Sequence, residues 1–180
     1  ASAMLFTLGT EFLPSFDEGT ALVMSFLPPG TSLAESDRVA HELEQRLVGM
    51  PGVATVGRYT GRGEHDEHAA PVTISHILLT LDQENELPRE EMFERIRDRL
   101  ADVPGIALNI GQPLAHRIDH ILSGVQAQIA IKVVGTDLVV LRQAAGRVAE
   151  ITGEVPGVID LYIEPQVLVP QLHISMHRER

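Results

Sequence analysis

The sequence predicts an α+β fold: one complete ferredoxin-like βαββαβ unit over residues 18–113, a crossover linker over 114–125, and the first half (βαββ) of a second unit over 126–180. One observation behind this is an internal repeat. ALVMSFLPPGTSL and its sequel down to PGVATV are matched by AQIAIKVVGTDL and its sequel down to PGVIDL, at a constant offset of 105 positions (Gly30 to Gly135, Pro51 to Pro156). The other is the alternation of period-2 and period-3.6 apolar patterns, with Pro-Gly turns at 51–52, 104–105 and 156–157 closing helical stretches.

Each element has its own local reason. Thr20–Leu27 alternates, with Leu22, Met24 and Phe26 on one face, so it reads as a strand. Ser32 followed by Glu35 is a capping-box pattern, and Val39, Leu43 and Leu47 make the apolar stripe of the helix behind it. Pro51-Gly52 stops that helix, and Val53–Tyr59 forms the next strand. Val72–Leu81 is strongly β, with Val72, Ile74, His76 and Leu78 on one side. Pro88 opens a second helix with a stripe of Phe93, Ile96 and Leu100, and Ile106–Ile110 is the fourth strand. The second unit offers Gln128–Val134, a helix from Asp137, Val158–Ile163 and Val169–Met176. Its second helix and fourth strand are missing. A half unit leaves strand edges that need cover, so it should be completed by more of the same protein or by a second molecule.

Composition narrows the function. A formal net charge of −11 argues against nucleic-acid binding, which needs a basic footprint. There is no cysteine, hence no disulfide and no thiolate metal site. Aromatics are 4% with no Trp, so the core is aliphatic. No apolar run approaches the ~20 residues that span a bilayer. Both ends, ASAMLFTLGT and HISMHRER, are abrupt and read as cut from a longer chain. Gly-rich phosphate loops and Ser or Cys nucleophile patterns are missing, so an enzyme is not predicted.

Between the second and third strands lies GRGEHDEHAAPV, with two histidines and three acidic residues within five positions. It reads either as a solvated polar loop or as part of a metal site. The spacing is not that of a helical zinc-protease motif, and Pro71 with its neighbouring glycines disfavours a helix.

TLGTEFLPSFDEG followed by a strand and PPGTSL, the run QPLAHRIDHILSGVQAQIAIKVVGTDL, and the Thr-Gly-x-x-E segment holding the loop together resemble the second large periplasmic loop of resistance-nodulation-division transporters, in particular their heavy-metal efflux branch. The resemblance spans nearly the whole chain. It implies a periplasmic part of a proton-driven heavy-metal cation efflux transporter, at the periplasmic face of the bacterial inner membrane. Residues 1–17 would be the end of a transmembrane helix and its exit segment, 18–113 a complete porter subdomain, and 126–180 half of another. Partners would be the rest of the pump, a homotrimer, a periplasmic adaptor and an outer-membrane channel. No resident cofactor is implied, only a transported ion from among Zn, Co, Ni, Cd or Cu/Ag.

The resemblance also implies the site. Met24 matches a methionine ligand of the copper and silver pumps. His120 stands where those pumps carry another methionine, and Ile74, which cannot coordinate, stands where they carry the third. His76 replaces a cleft glutamate and His68 an aspartate in the preceding loop. The residues themselves allow two readings: Met24 among Leu22 and Phe26 as plain core, His76 as a hydrogen-bonded core histidine, or both as ligands. His116 and His120, four apart, share a face if that run is helical. Arg117 and Asp119 read as a structural pair at the cleft edge. Imidazole suits Zn, Cu, Co and Ni, whereas thioether selects soft Cu(I). The rivals are a drug-type pump of the same superfamily, against which the few aromatics count, and a free-standing ferredoxin-like ligand-binding module, against which the incomplete second unit counts.

Overall fold

A computed structural model describes residues 17–61, 71–82, 87–114, 118 and 129–164. The first unit runs β1 (Thr20–Phe26), α1 (Leu33–Leu47), β2 (Val53–Thr60), β3 (Ile74–Leu81), α2 (Arg89–Leu100) and β4 (Ala107–Gly111). Its strands form one antiparallel sheet in the order β2-β3-β1-β4. That is the expected split βαβ topology: β1 and β2 run the same way across α1, and β3 fills the gap between them.

Both helices cover one face of the sheet. Ala21, Val23, Ile77, Leu79 and Ile110 point into that layer and meet Val39, Leu43 and Leu47 of α1 and Met92, Ile96 and Leu100 of α2. The α1 stripe is the one the sequence shows. In α2 the fully buried line is Met92, Ile96 and Leu100, with Phe93 only half-buried beside it. The expected stripe of Phe93, Ile96 and Leu100 therefore holds at Ile96 and Leu100, with Met92 in place of Phe93 in its first turn. Met at i, i+4 from Ile96 reaches the sheet, and Phe93 packs at the border.

The ends of the elements follow local chemistry. Ser32 caps α1, its hydroxyl accepting from the Glu35 N–H at 3.2 Å. The Glu35 carboxylate accepts from Arg38, so the other half of the capping box is diverted into an i,i+3 ion pair. β3 starts at Ile74 rather than Val72, because the Ile74 N–H turns back onto the Pro71 carbonyl at 3.0 Å. The three Pro-Gly turns share one conformation: Gly52, Gly105 and Gly157 sit at φ 86°, 77° and 90°, where a side chain is strained. The repeat is thus visible in the backbone.

In the second unit α3 (Leu138–Gly153) forms as expected, with the Asp137 carboxylate accepting from the Val139 and Val140 N–H groups. The flanking stretches expected as strands, Gln128–Val134 and Val158–Ile163, carry no strand assignment within the described residues 129–134 and 158–163. The first unit shows the pattern that the repeat follows. There β1 and β2 do not pair with each other; both pair with β3. The equivalent third strand, expected at Val169–Met176, lies outside the described residues. Among the described residues α3 buries none of its own side chains, and Val139, Val140 and Ile151 are exposed.

Two contacts tie this half unit to the first. Asp160 accepts both Arg97 Nε and an Arg97 terminal nitrogen, each at 2.9 Å, and also the Ile110 N–H at 3.1 Å on the edge strand β4. Tyr162 stacks on Phe26, with ring centroids 4.6 Å apart.

Candidate functional site

Because side chains alternate along a strand, β1 sends Leu22, Met24 and Phe26 to the face opposite α1 and α2. They form a second apolar cluster there, edged by Ile74 and Ala107. Antiparallel partners share a face, so the register defines rows across the sheet. The middle row is Tyr59 on β2, His76 on β3, Met24 on β1 and Asn109 on β4. Below it run Gly57, Leu78, Leu22 and Gly111; above it run Ile74, Phe26 and Ala107.

The row puts an imidazole directly beside a thioether on the two central strands. Met24 is fully buried and His76 is 8% exposed. The Tyr59 ring lies against His76, with centroids 4.6 Å apart and planes 10° from parallel. Tyr59 itself is 58% exposed, so it forms the solvent-facing wall of the imidazole. Asn109 adds a carboxamide on the other side of Met24. Nitrogen, sulfur and oxygen donors thus follow one another along a single row.

No Asp, Glu, Lys or Arg stands on this face among the described strand residues. The strand charges go to the other side. Arg58, one position from Tyr59, turns to α1 and pairs with Glu44 at 2.9 Å and with Asp37. The hydrogen bond that Arg58 donates to Asp37 holds its guanidinium above its ordinary range, against a burial that works the other way. Tyr162, over Phe26, has its phenol raised by burial and, secondarily, by the charge of Glu164, so it stays neutral. The described strand residues of this face thus carry no acidic, Lys or Arg side chain, and Glu164 brings a carboxylate near its Tyr162 border.

Of the residues expected at the site, Met24 and His76 are brought together as direct cross-strand partners. Ile74, two residues before His76, borders the same apolar cluster. His68 in the GRGEHDEHAAPV loop, and His116, Arg117, Asp119 and His120 in the crossover, lie outside the described residues. Among the described residues no three His, Asp or Glu side chains gather into a closed metal cage. Sequence reasoning missed Tyr59 and Asn109. For Tyr59 there is a definite cause. The β2–β3 pairing slips by one residue between Val53 and Thr55, and a one-residue slip exchanges the faces of everything beyond it. The alternation of VATVGRYT alone does not reveal that.

Comparison with known proteins agrees with this architecture. The AcrB/AcrD/AcrF family profile matches residues 1–180. The cobalt-zinc-cadmium resistance protein CzcA of Cupriavidus metallidurans is 28% identical over 179 residues, covering 96% of this chain and 17% of CzcA. The cation efflux system protein CusA of Escherichia coli K12 is 28% identical over 177 residues, with the same coverages. The nickel and cobalt resistance protein CnrA of Cupriavidus metallidurans is 29% identical over 161 residues, covering 87% of this chain and 15% of CnrA. A crystal structure of a heavy metal efflux pump superposes with a TM-score of 0.79 at 26% identity, covering 88% of this chain and 17% of that one. The chain thus spans about one sixth of the length of these relatives.

Proposed function

Given that this chain belongs to the AcrB/AcrD/AcrF family, we propose that it is a periplasmic segment of a proton-driven heavy-metal cation efflux transporter and that the sheet face opposite α1 and α2 forms one wall of its substrate cleft. The observation that carries this reading is the buried His76–Met24 pair on the central strands. An imidazole and a thioether side by side on one face are donors for borderline and soft cations, and a poor lining for organic substrates. The relatives point the same way: two are named for resistance to cobalt, zinc, cadmium or nickel. Asn109 and the His76 nitrogens favour divalent Zn, Co, Ni or Cd over a purely thioether-bound Cu(I) or Ag(I). His120 and His68 would add ligands from the crossover and from the loop, with His116, Arg117 and Asp119 at the cleft edge.

The ion is cargo, so it has to be held weakly. A wall with two or three donors satisfies that, since a site lacking ligands loses affinity steeply. The remaining donors, the energy coupling and the assembly with a trimer, an adaptor and an outer-membrane channel belong to the rest of the pump. The test uses the whole transporter in cells. His76→Ala and His120→Ala, separately and together, should lower tolerance to the exported divalent metals at matched protein level. Unchanged tolerance to every exported metal would remove the histidines from the site.

A further inference from the structure

We infer that Tyr59 is a positioning residue for His76: its ring fixes the plane of the imidazole and so selects which cations the cleft wall accepts. The inference rests on the reading of His76 as a cargo ligand and adds a residue to it. Tyr59 and His76 are paired in register on β2 and β3, and their rings are stacked 4.6 Å apart at 10°. On its other flank the imidazole has Met24, which is fully buried.

A histidine ring turns easily about its last side-chain torsion, because that well is broad. Metal binding does not tolerate such freedom, since the lone pair lies in the ring plane and the bond to a cation such as Zn is only ~2.0–2.1 Å long. In many metal sites a hydrogen bond to the second ring nitrogen removes the freedom. Here an aromatic face constrains the ring plane directly. With Tyr59 on one side and Met24 on the other, the ring presents an edge, not a face, to anything above the sheet. The edge then meets the cation at one angle, which a rigid divalent coordination sphere needs and a loosely bound monovalent ion does not.

The location of Tyr59 supports a role other than packing. It is more than half exposed, on an edge strand, and lies outside both apolar clusters. A large aromatic left in water beside a nearly buried histidine does little for the core. Among the described residues, its ring contact is with the flank of that imidazole. The phenol oxygen is not required for this, so a phenyl ring should serve equally well.

The experiment compares Tyr59→Phe, Tyr59→Val and His76→Ala in the whole pump, reading metal tolerance in cells at matched protein level, alongside NMR of the His76 ring protons in this chain. Tyr59→Val keeps a strand-forming residue and removes the ring. The expected result is an upfield ring-current shift of the His76 protons in wild type and Tyr59→Phe, lost in Tyr59→Val. In cells, Tyr59→Phe should match wild type. Tyr59→Val should lower tolerance to the same divalent metals as His76→Ala, as an affinity loss on the order of 10-fold would do. If His76→Ala is impaired but Tyr59→Val behaves as wild type, the positioning role is overturned while the cleft reading stands. If Tyr59→Phe is as impaired as Tyr59→Val, the hydroxyl and not the stack is at work, which also overturns it. Wild-type tolerance in His76→Ala overturns both. Retained backbone resonances for Ile77 and Leu79 show that Tyr59→Val still forms the sheet.

Discussion

Replacing Asp160 by Ala should detach the half unit from the edge of the sheet. The carboxylate does two things at once. It accepts two parallel hydrogen bonds from Arg97, both 2.9 Å, and it closes the outward N–H of Ile110 on β4 at 3.1 Å. The Arg97 and Asp160 side chains are only 26% and 13% exposed, so water replaces these bonds incompletely. The bidentate bond that Arg97 donates to Asp160 also raises its guanidinium, which keeps the pair ionised. A charge-assisted bond of this kind contributes about 1.5–3 kcal/mol, and a backbone N–H left partly covered adds to the loss. In the same direction, Asp160 holds φ 54°, a strained backbone that Ala tolerates worse than Asp. About 2 kcal/mol is a reasonable total for the local contact, or roughly a 30-fold change in its opening equilibrium. Amide hydrogen exchange reads this directly. The Ile110 amide should exchange roughly 30-fold faster in Asp160→Ala, while Ile77 on the central strand stays unchanged. Asp160→Asn, which retains an acceptor but not the charge, should fall between. Unaltered Ile110 protection in Asp160→Ala would refute the latch, since another partner would then be holding that N–H.

Leu43→Ala, at a fully buried position of α1, should cost about 3 kcal/mol in denaturant unfolding. Ser36→Ala should do the opposite: the Ser36 hydroxyl is fully buried with no partner among the described residues, so its removal, with the better helix propensity of Ala, should add about 1 kcal/mol in the same assay. Tyr162 gives a pH dependence. Its folded phenol is raised above the ordinary value of 10.0, so the unfolded chain releases that proton first, and stability should fall as pH climbs from about 10 towards the folded pKa. Tyr162→Phe should abolish that alkaline loss in pH-dependent thermal melts while retaining the ring contact with Phe26.

Much of the first unit is legible in the sequence because its signals are local. A capped stripe, a Pro-Gly stop and an alternating strand each act within one element, and the 105-position repeat orders them. The Met24–His76 neighbourhood is also readable, since the split βαβ topology puts β1 beside β3 and both residues fall on the same parity. What stays hidden is non-local. Tyr59 reaches the site through a register slip that no pattern in β2 announces. Met92 takes the place of Phe93 in the buried line of α2 because the sheet beneath decides which residue of the first turn is covered. Asp160 looks like an ordinary turn residue until the edge of β4 is seen beside it. The strands of the half unit are written into the sequence, but their ladders depend on a third strand between them.

The order β2-β3-β1-β4 has one more consequence, for how such a site can change. Met24 and His76 each sit on a strand hydrogen-bonded on both sides. Their backbones are pinned at the ~4.8 Å spacing of a sheet, on the part of the fold that opens last. A donor on such a lattice can be exchanged for another without disturbing its neighbours, as one peg is changed on a board. A single codon at 24 or 76 can therefore trade sulfur for nitrogen or oxygen while the backbone around it stays where it was. Chemical preference can then drift quickly in descendants of this chain, although the scaffold beneath stays the same.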